Sequence, residues 1–237
     1  MEGWKCHNRK TLVAIVIPAL NEEHRIGRVL RAAVTSELAD EIIVVSDGST
    51  DRTAEVASRF KGVRVIELPQ NLGKGGAMMA GVMATNAAII TFIDADLTGL
   101  TGDHIDAIID PVIHNEADMC LGIFRKGKFW SNAAQRVSPY FSGQRAMKRR
   151  LIERVPHIAE MRLGVEVAIN TYAKRYRARV LRVILPGVSN TAKERKLGFV
   201  KGAKARVQMF SEIAQAYVTV RKDDRATRKS RARRLRK

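Results

Sequence analysis

At 237 residues the chain has room for one large domain or two small ones, and its 46% hydrophobic content supplies a substantial core and excludes a disordered chain. The formal net charge of +18 hides a division: residues 1–120 carry 11 Lys and Arg against 17 Asp and Glu, and residues 121–237 carry 31 against 7. Such a basic half points to an anionic counterpart (nucleic acid, a phosphate-bearing substrate or an anionic membrane face) or to a solubilising surface.

Residues 12–17, LVAIVI, read as a buried parallel strand stopped by Pro18. A helix follows, with Ile26, Val29, Leu30 and Val34 at helical spacing. EIIVV (41–45) is a second strand ended by Ser46-Asp47-Gly48-Ser49, and Thr50 or Asp51 is placed to cap the next helix. VRVIE (63–67) is a third strand. After NLGKGG comes an Ala/Met-rich helix and then a fourth strand, AAIITFI, ending at Asp94. The uncharged run 75–93 approaches the length of a membrane span, but its glycines, Thr85 and Asn86 favour a buried helix followed by a buried strand. Further on, 118–124 and 180–185 read as strands and 163–173 as a helix carrying Glu166. From Gly198 to Val220 apolar residues recur at steps of three and four, an amphipathic helix, and 221–237 is a basic tail with too little apolar content to fold. Cys6 and Cys120 form no CxxC pair, which fits reduced thiols in a cytosolic protein. The chain opens on no charged-then-apolar leader with a cleavage site, which points away from secretion.

Alternation of strand and helix predicts an α/β fold with a doubly wound, mostly parallel sheet, in which ligands bind beyond the carboxyl ends of the strands. Four clusters follow those ends: Pro18 to Glu22, Ser46 to Asp51, Asn71 to Gly76, and Asp94-Ala95-Asp96. Two carboxylates past a buried strand suit Mg²⁺ or Mn²⁺ completed by substrate phosphates; an ordinary acidic turn has the same sequence. Glycines around Lys74 let backbone approach a ligand, and the lysine can meet a phosphate; the string equally suits a turn before a helix. Asp47 can accept from a base N–H or a ribose hydroxyl, or cap a helix.

Together the strings VAIVIPALNEE, EIIVVSDGSTDRT, NLGKGGAMMAG and FIDADL, in this order over residues 11–98, resemble the family 2 glycosyltransferases of GT-A fold. SGQRAMKR (142–149) is similar to the SGxRA segment of polyprenyl- and dolichol-phosphate sugar transferases, and LGVEVAI (163–169) to a helix of those enzymes and of glucosyl-phosphoglycerate synthases. The resemblance implies a metal-dependent transferase moving a hexose from a nucleotide-diphosphate sugar, UDP-hexose favoured over GDP-mannose, to an anionic, phosphate-bearing acceptor such as a polyprenyl phosphate. Pro18, Ala19, Leu20 and Glu22 would line the nucleoside pocket, and Asp47 and Ser49 would hold base and ribose. Lys74 would lie near the nucleotide, with Asp94, Ala95 and Asp96 along the donor and Asp94 and Asp96 as metal ligands. Asn190 stands where several relatives have a histidine ligand. Arg125, Gln144 and Arg145 would face acceptor or diphosphate, with Arg145 the main anion-binding guanidinium of the basic stretch 125–154. Glu166 would face sugar or acceptor, as a base for a hydroxyl acceptor or an orienting group for a phosphate.

These readings divide the chain into a GT-A domain (1–197, with a nucleotide-binding half 11–98 and an acceptor half 99–197), the helix 198–220 and the tail 221–237. The expected location is cytoplasmic, at the inner face of the cell membrane, where helix and tail would make peripheral contact with anionic lipid. A second copy of the chain is a further candidate partner. The competing function is a binder of nucleic acid or another anionic surface. Aromatic residues are only 5%, too few for a stacking platform, so nucleic acid is not expected as a partner.

Overall fold

The structure is a computed structural model that describes residues 11–124, 142–162 and 164–190. The expectations for Arg125, for the helix 198–220 and for the tail 221–237 lie outside these residues. One seven-stranded sheet organises the rest. Its strands are β1 (Val13–Ala19), β2 (Glu41–Asp47), β3 (Val63–Leu68), β4 (Ile89–Phe92), β6 (Met119–Phe124), β7 (Arg145–Lys148) and β8 (Val180–Leu185), in the spatial order β3-β2-β1-β4-β7-β6-β8. Pairing is parallel except at β7, which runs antiparallel to both β4 and β6. A two-stranded ribbon joins β5 (Leu97–Thr98) to β9 (Ser189–Asn190).

The central strands are apolar on both faces because both faces are covered. Alternate residues of β1 feed two cores: Val13, Ile15 and Ile17 pack with α1 (Ile26–Ala33) and α4 (Gly102–Ile113), whereas Ala14 and Val16 pack with α3 (Gly73–Met83) and α6 (Val165–Arg175). This is the period-2 alternation of a strand between two helical layers. The short helices α2 (Thr53–Ser58) and α5 (Arg149–Ile152) complete the layers. The uncharged run 75–93 divides between α3 and β4, as a buried helix and strand should, and no helix among the described residues is long and apolar enough to cross a membrane.

Three local differences from the sequence reading have physical causes. The helix carrying Glu166 starts at Val165, because Gly164 before it takes the left-handed φ of +78° and forms its N-cap. Helix α3 starts at Gly73, inside the glycine string rather than after it. The segment Arg145–Lys148 is a strand, although Arg145 and Lys148 break any apolar run.

Candidate active site

The carboxyl ends of β1, β2 and β4 open on one cavity of about 410 Å³. Its walls include Pro18, Ala19, Leu20 and Glu22 after β1, Asp47 after β2, Asn71 and Lys74 around the start of α3, Asp94, Ala95 and Asp96 after β4, Arg162, and Asn190 from the β5–β9 ribbon. The four strand-end clusters thus converge as a parallel α/β sheet requires. Ser49 stands one step back: its Oγ accepts from Asn21 N at 3.2 Å, while Asn21 Oδ1 accepts from Thr50 N at 2.9 Å, lacing the first two loops together.

At the floor lies a chain of charges. Lys74 Nζ bridges Asp94 Oδ1 at 2.7 Å and Glu166 Oε1 at 2.5 Å. Gln144 Nε2 donates to the other Asp94 oxygen at 2.7 Å. Behind them Arg145, 0% exposed, donates to Asn170 Oδ1 at 3.2 Å and to the Ser142 carbonyl. Burial works to raise the pKa of Glu166, but Lys74 and Arg145 overcome it and hold the carboxyl below its usual range. Asp94 behaves alike: desolvation opposes the charge, and Lys74, Gln144 and Arg145 restore it. For Lys74 burial favours the neutral amine, but Asp94 and Glu166 prevail and its pKa is raised. All three groups are therefore ionised at neutral pH.

Two expectations are corrected. Arg145 was expected to face the acceptor or diphosphate; fully enclosed, it cannot meet an anion in the cavity and instead supplies positive potential behind Asp94 and Glu166. Gln144, likewise 0% exposed, grips Asp94 rather than substrate. The glycines of NLGKGG make room for protein groups. Leu72 N and Gly73 N donate to the two oxygens of Asp47 at 2.7 and 3.0 Å, Lys74 N donates to Arg162 O at 3.2 Å, and Gly75 N donates to Met161 O at 2.8 Å. A Cβ on Gly75 would collide with the Ile158 carbonyl, and one on Gly73 would lie 2.7 Å from Arg162 Cα. The start of α3 is thus closed by protein groups, and Asp47 caps it from a position only 4% exposed. Arg162, whose side chain bonds Asn71 of the third cluster at 2.6 Å, is a cavity residue that the motifs did not single out. Arg162 lies in an irregular loop that only the fold brings to the strand ends.

Asp94 is engaged on both oxygens, and Asp96 beyond β4 and the Asn190 amide line the same cavity. Among the described residues no group of three or more His, Cys, Asp or Glu side chains could hold a metal. A carboxylate and an amide oxygen are donors of the kind that Mg²⁺ or Mn²⁺ takes when substrate phosphates complete its shell.

Known proteins carry the same framework. The chain is 38% identical over 108 residues to 4,4'-diaponeurosporenoate glycosyltransferase of Staphylococcus aureus, a match that takes in 44% of this chain and 28% of the relative. It thus spans little more than a quarter of that relative's length. Among solved structures, glucosyl-3-phosphoglycerate synthase from Mycobacterium tuberculosis in complex with Mn²⁺, UDP and glucosyl-3-phosphoglycerate superposes with a TM-score of 0.69 at 24% identity, over 87% of this chain and 80% of that one. The same synthase with Mn²⁺ and UDP-glucose gives a TM-score of 0.66 at 26% identity, over 86% and 80%. The sheet and its helical layers are those of the GT-A fold. The model for glycosyl transferase family 2 matches residues 14–172, which takes in nearly all of β1 through β7, every cavity residue named above but Asn190, and Glu166, and the chain belongs to that family.

Proposed function

We propose that the protein transfers a hexose from UDP-hexose to a phosphate-bearing acceptor with the help of Mg²⁺ or Mn²⁺. The observation that carries this reading is the cavity itself: a nucleotide-sized space at the strand ends with Asp96 and Asn190 at one end and Asp47, Asn71 and Arg162 at the other. The neighbouring synthase binds UDP-glucose with Mn²⁺, and its acceptor in a further structure is phosphoglyceric acid. The metal, when bound, would neutralise the diphosphate leaving group. Lys74 holds Asp94 and Glu166 in fixed positions on the cavity floor. Glu166 kept below the usual carboxylate range is a weak proton acceptor. That suits an acceptor whose oxygen is already ionised, a phosphate, which Glu166 would orient rather than deprotonate. GDP-mannose as donor and a polyprenyl phosphate as acceptor fit the same chemistry. The latter would place the protein at the cytoplasmic face of the membrane.

Calorimetric titration of UDP with Mn²⁺ or Mg²⁺, beside an assay of UDP release from UDP-hexose, tests the reading. Asp96→Ala is expected to lose metal-dependent UDP binding and turnover while keeping its melting temperature. Full turnover by that variant, or in EDTA, would overturn the metal's role.

A further inference from the structure

The cavity has a second cation that the charge chain on its floor does not use. Arg162 is exposed, lines the cavity, and among the described residues makes no ion pair; its Nη2 donates to the neutral Asn71 Oδ1. Its main chain is fixed from below, since Arg162 O and Met161 O accept from Lys74 N and Gly75 N of α3, and its Cα, Cβ and Cγ fill the space above Gly73. The guanidinium is therefore mounted on the sheet by a clasp.

The strand order gives its place relative to the metal end. Asn71 follows β3 and lies against Gly48 at the end of β2, where a Cβ would come 2.6 Å from Asn71 N. Asp96 lies beyond β4, and β3 is three strands away in the sheet, roughly 14 Å at about 4.8 Å per step. A nucleoside diphosphate with its phosphates at Asp96 places its base at the Asp47–Asn71–Arg162 end. There the Asp47 oxygens are already bonded to Leu72 N and Gly73 N, and Lys74 is turned to Asp94 and Glu166.

We infer that Arg162, tethered by Asn71, reads the base of the donor and selects one that presents a carbonyl oxygen at the 4-position, uracil over cytosine. This deepens the nucleotide-sugar reading and rests on it. A guanidinium has donors only. The 4-oxo group of uracil accepts from it, whereas the 4-amino group of cytosine would set N–H against N–H. UDP and CDP share ribose and diphosphate and differ at this edge alone. A charge-assisted bond of this kind corresponds to a discrimination of roughly 10- to 100-fold.

The test is calorimetric titration of UDP and of CDP, each with Mn²⁺, into the full chain, with thermal unfolding as a check on folding. The wild type is expected to bind UDP roughly 10- to 100-fold more tightly than CDP. Arg162→Ala is expected to bring that ratio near one by weakening UDP alone, and Asn71→Ala to lower it part of the way. Arg162→Met keeps the aliphatic stem over Gly73 and provides the same readout should the alanine variant fold poorly. A wild-type ratio near one, or equal weakening of both nucleotides in the Arg162 variants, would overturn the inference and assign the guanidinium to the phosphates or to general charge. Wild-type protein that binds neither nucleotide would overturn the nucleotide-sugar reading itself, and this inference with it.

Discussion

At the scale of single residues, the site depends on keeping four buried charges in balance, Lys74 and Arg145 against Asp94 and Glu166. Lys74 is 26% exposed and Glu166 16%, so their 2.5 Å contact is screened far less than a surface pair. Arg145 is the less visible member. It touches neither carboxylate through a hydrogen bond, yet its charge faces both Asp94 and Glu166 in the protein interior. Removing it leaves two carboxylates to one lysine. Arg145→Ala is therefore expected to destabilise the fold by about 3–5 kcal/mol, the cost of breaking a buried charge arrangement, as read by urea unfolding. It is also expected to raise the pKa of Glu166. If ionised Glu166 is required, the acid limb of the pH–rate profile then moves to higher pH. A variant with wild-type stability and an unmoved acid limb, but a weakened acceptor KM, would return Arg145 to direct anion binding. Asp118 is a second charge centre, remote from the cavity. Lys148 Nζ donates to it at 2.8 Å, Arg150 at 3.2 Å and Arg179 N at 3.0 Å, so the start of β6, the end of β7 and the approach to β8 meet on one carboxylate. Burial opposes its charge, but these donors win and hold its pKa well below the usual range. The sign follows: the stabilisation is complete above the unfolded value of about 3.9 and is lost as pH falls below it. Asp118→Asn is expected to cost about 1–3 kcal/mol at pH 7. The gap to wild type should narrow in urea titrations as pH falls below about 3.9, because the unfolded carboxylate takes up a proton that the clasped native one resists; a gap that does not change with pH would rule out the ionised clasp.

At the scale of elements, two glycine-bearing strings fasten the halves of the molecule together. In NLGKGG the glycines let the loop 158–162 lie against the start of α3, and in SGQRA Gly143 lets the chain pass beside Asp94, whose carboxylate a Cβ at that position would strike. Gly75→Ala is expected to push the Ile158–Arg162 loop off α3, lowering the melting temperature and weakening UDP together. A Gly75→Ala protein with both properties intact would contradict the clasp. These examples also mark what the sequence could reveal. β1 and β2 are apolar runs because both their faces are buried, and Asp47, Asp94 and Asp96 were legible because a polar cluster after such a strand has one place to go. A buried arginine runs against the pattern by which strands are recognised, so β7, which carries Arg145 and Lys148, looks like part of a basic loop. Helix α4 contains Pro111 in its third turn, which reads as a break. Arg162 was beyond reach for another reason: its position comes from main-chain bonds to Lys74 and Gly75, and no side-chain pattern encodes those. The glycines were seen, but whether backbone or ligand fills the space they leave is decided only by tertiary packing.

At the scale of the whole molecule, the charge division acquires a direction. The sheet edge at β8 exposes Val180, Leu181 and Ile184, and beside them Arg177, Arg179 and Arg182 are exposed. Apolar and basic groups along one sheet edge suit the interface of an anionic bilayer. The sequence continues past Asn190 into the segment 198–220, with its helical apolar spacing, and residues 221–237, with ten basic residues against two aspartates. Each basic residue near an anionic surface contributes about 1 kcal/mol, so a tail of this composition can hold a protein there without a membrane span. A lipid-phosphate acceptor would then be met at the surface, whereas a small soluble phosphate would need no such attachment. Co-sedimentation with vesicles of neutral or anionic lipid, for the full chain and for a chain ending at Val220, separates these cases. The full chain is expected to sediment with anionic vesicles only, to be released by salt because the attraction is screened within about 10 Å at 0.1 M, and to lose most of its binding on truncation. Equal binding by both chains would move the contact from the tail to the β8 face or the 198–220 segment. Absence of binding by either would assign the basic half to a soluble phosphate acceptor, with the tail left as solvated surface.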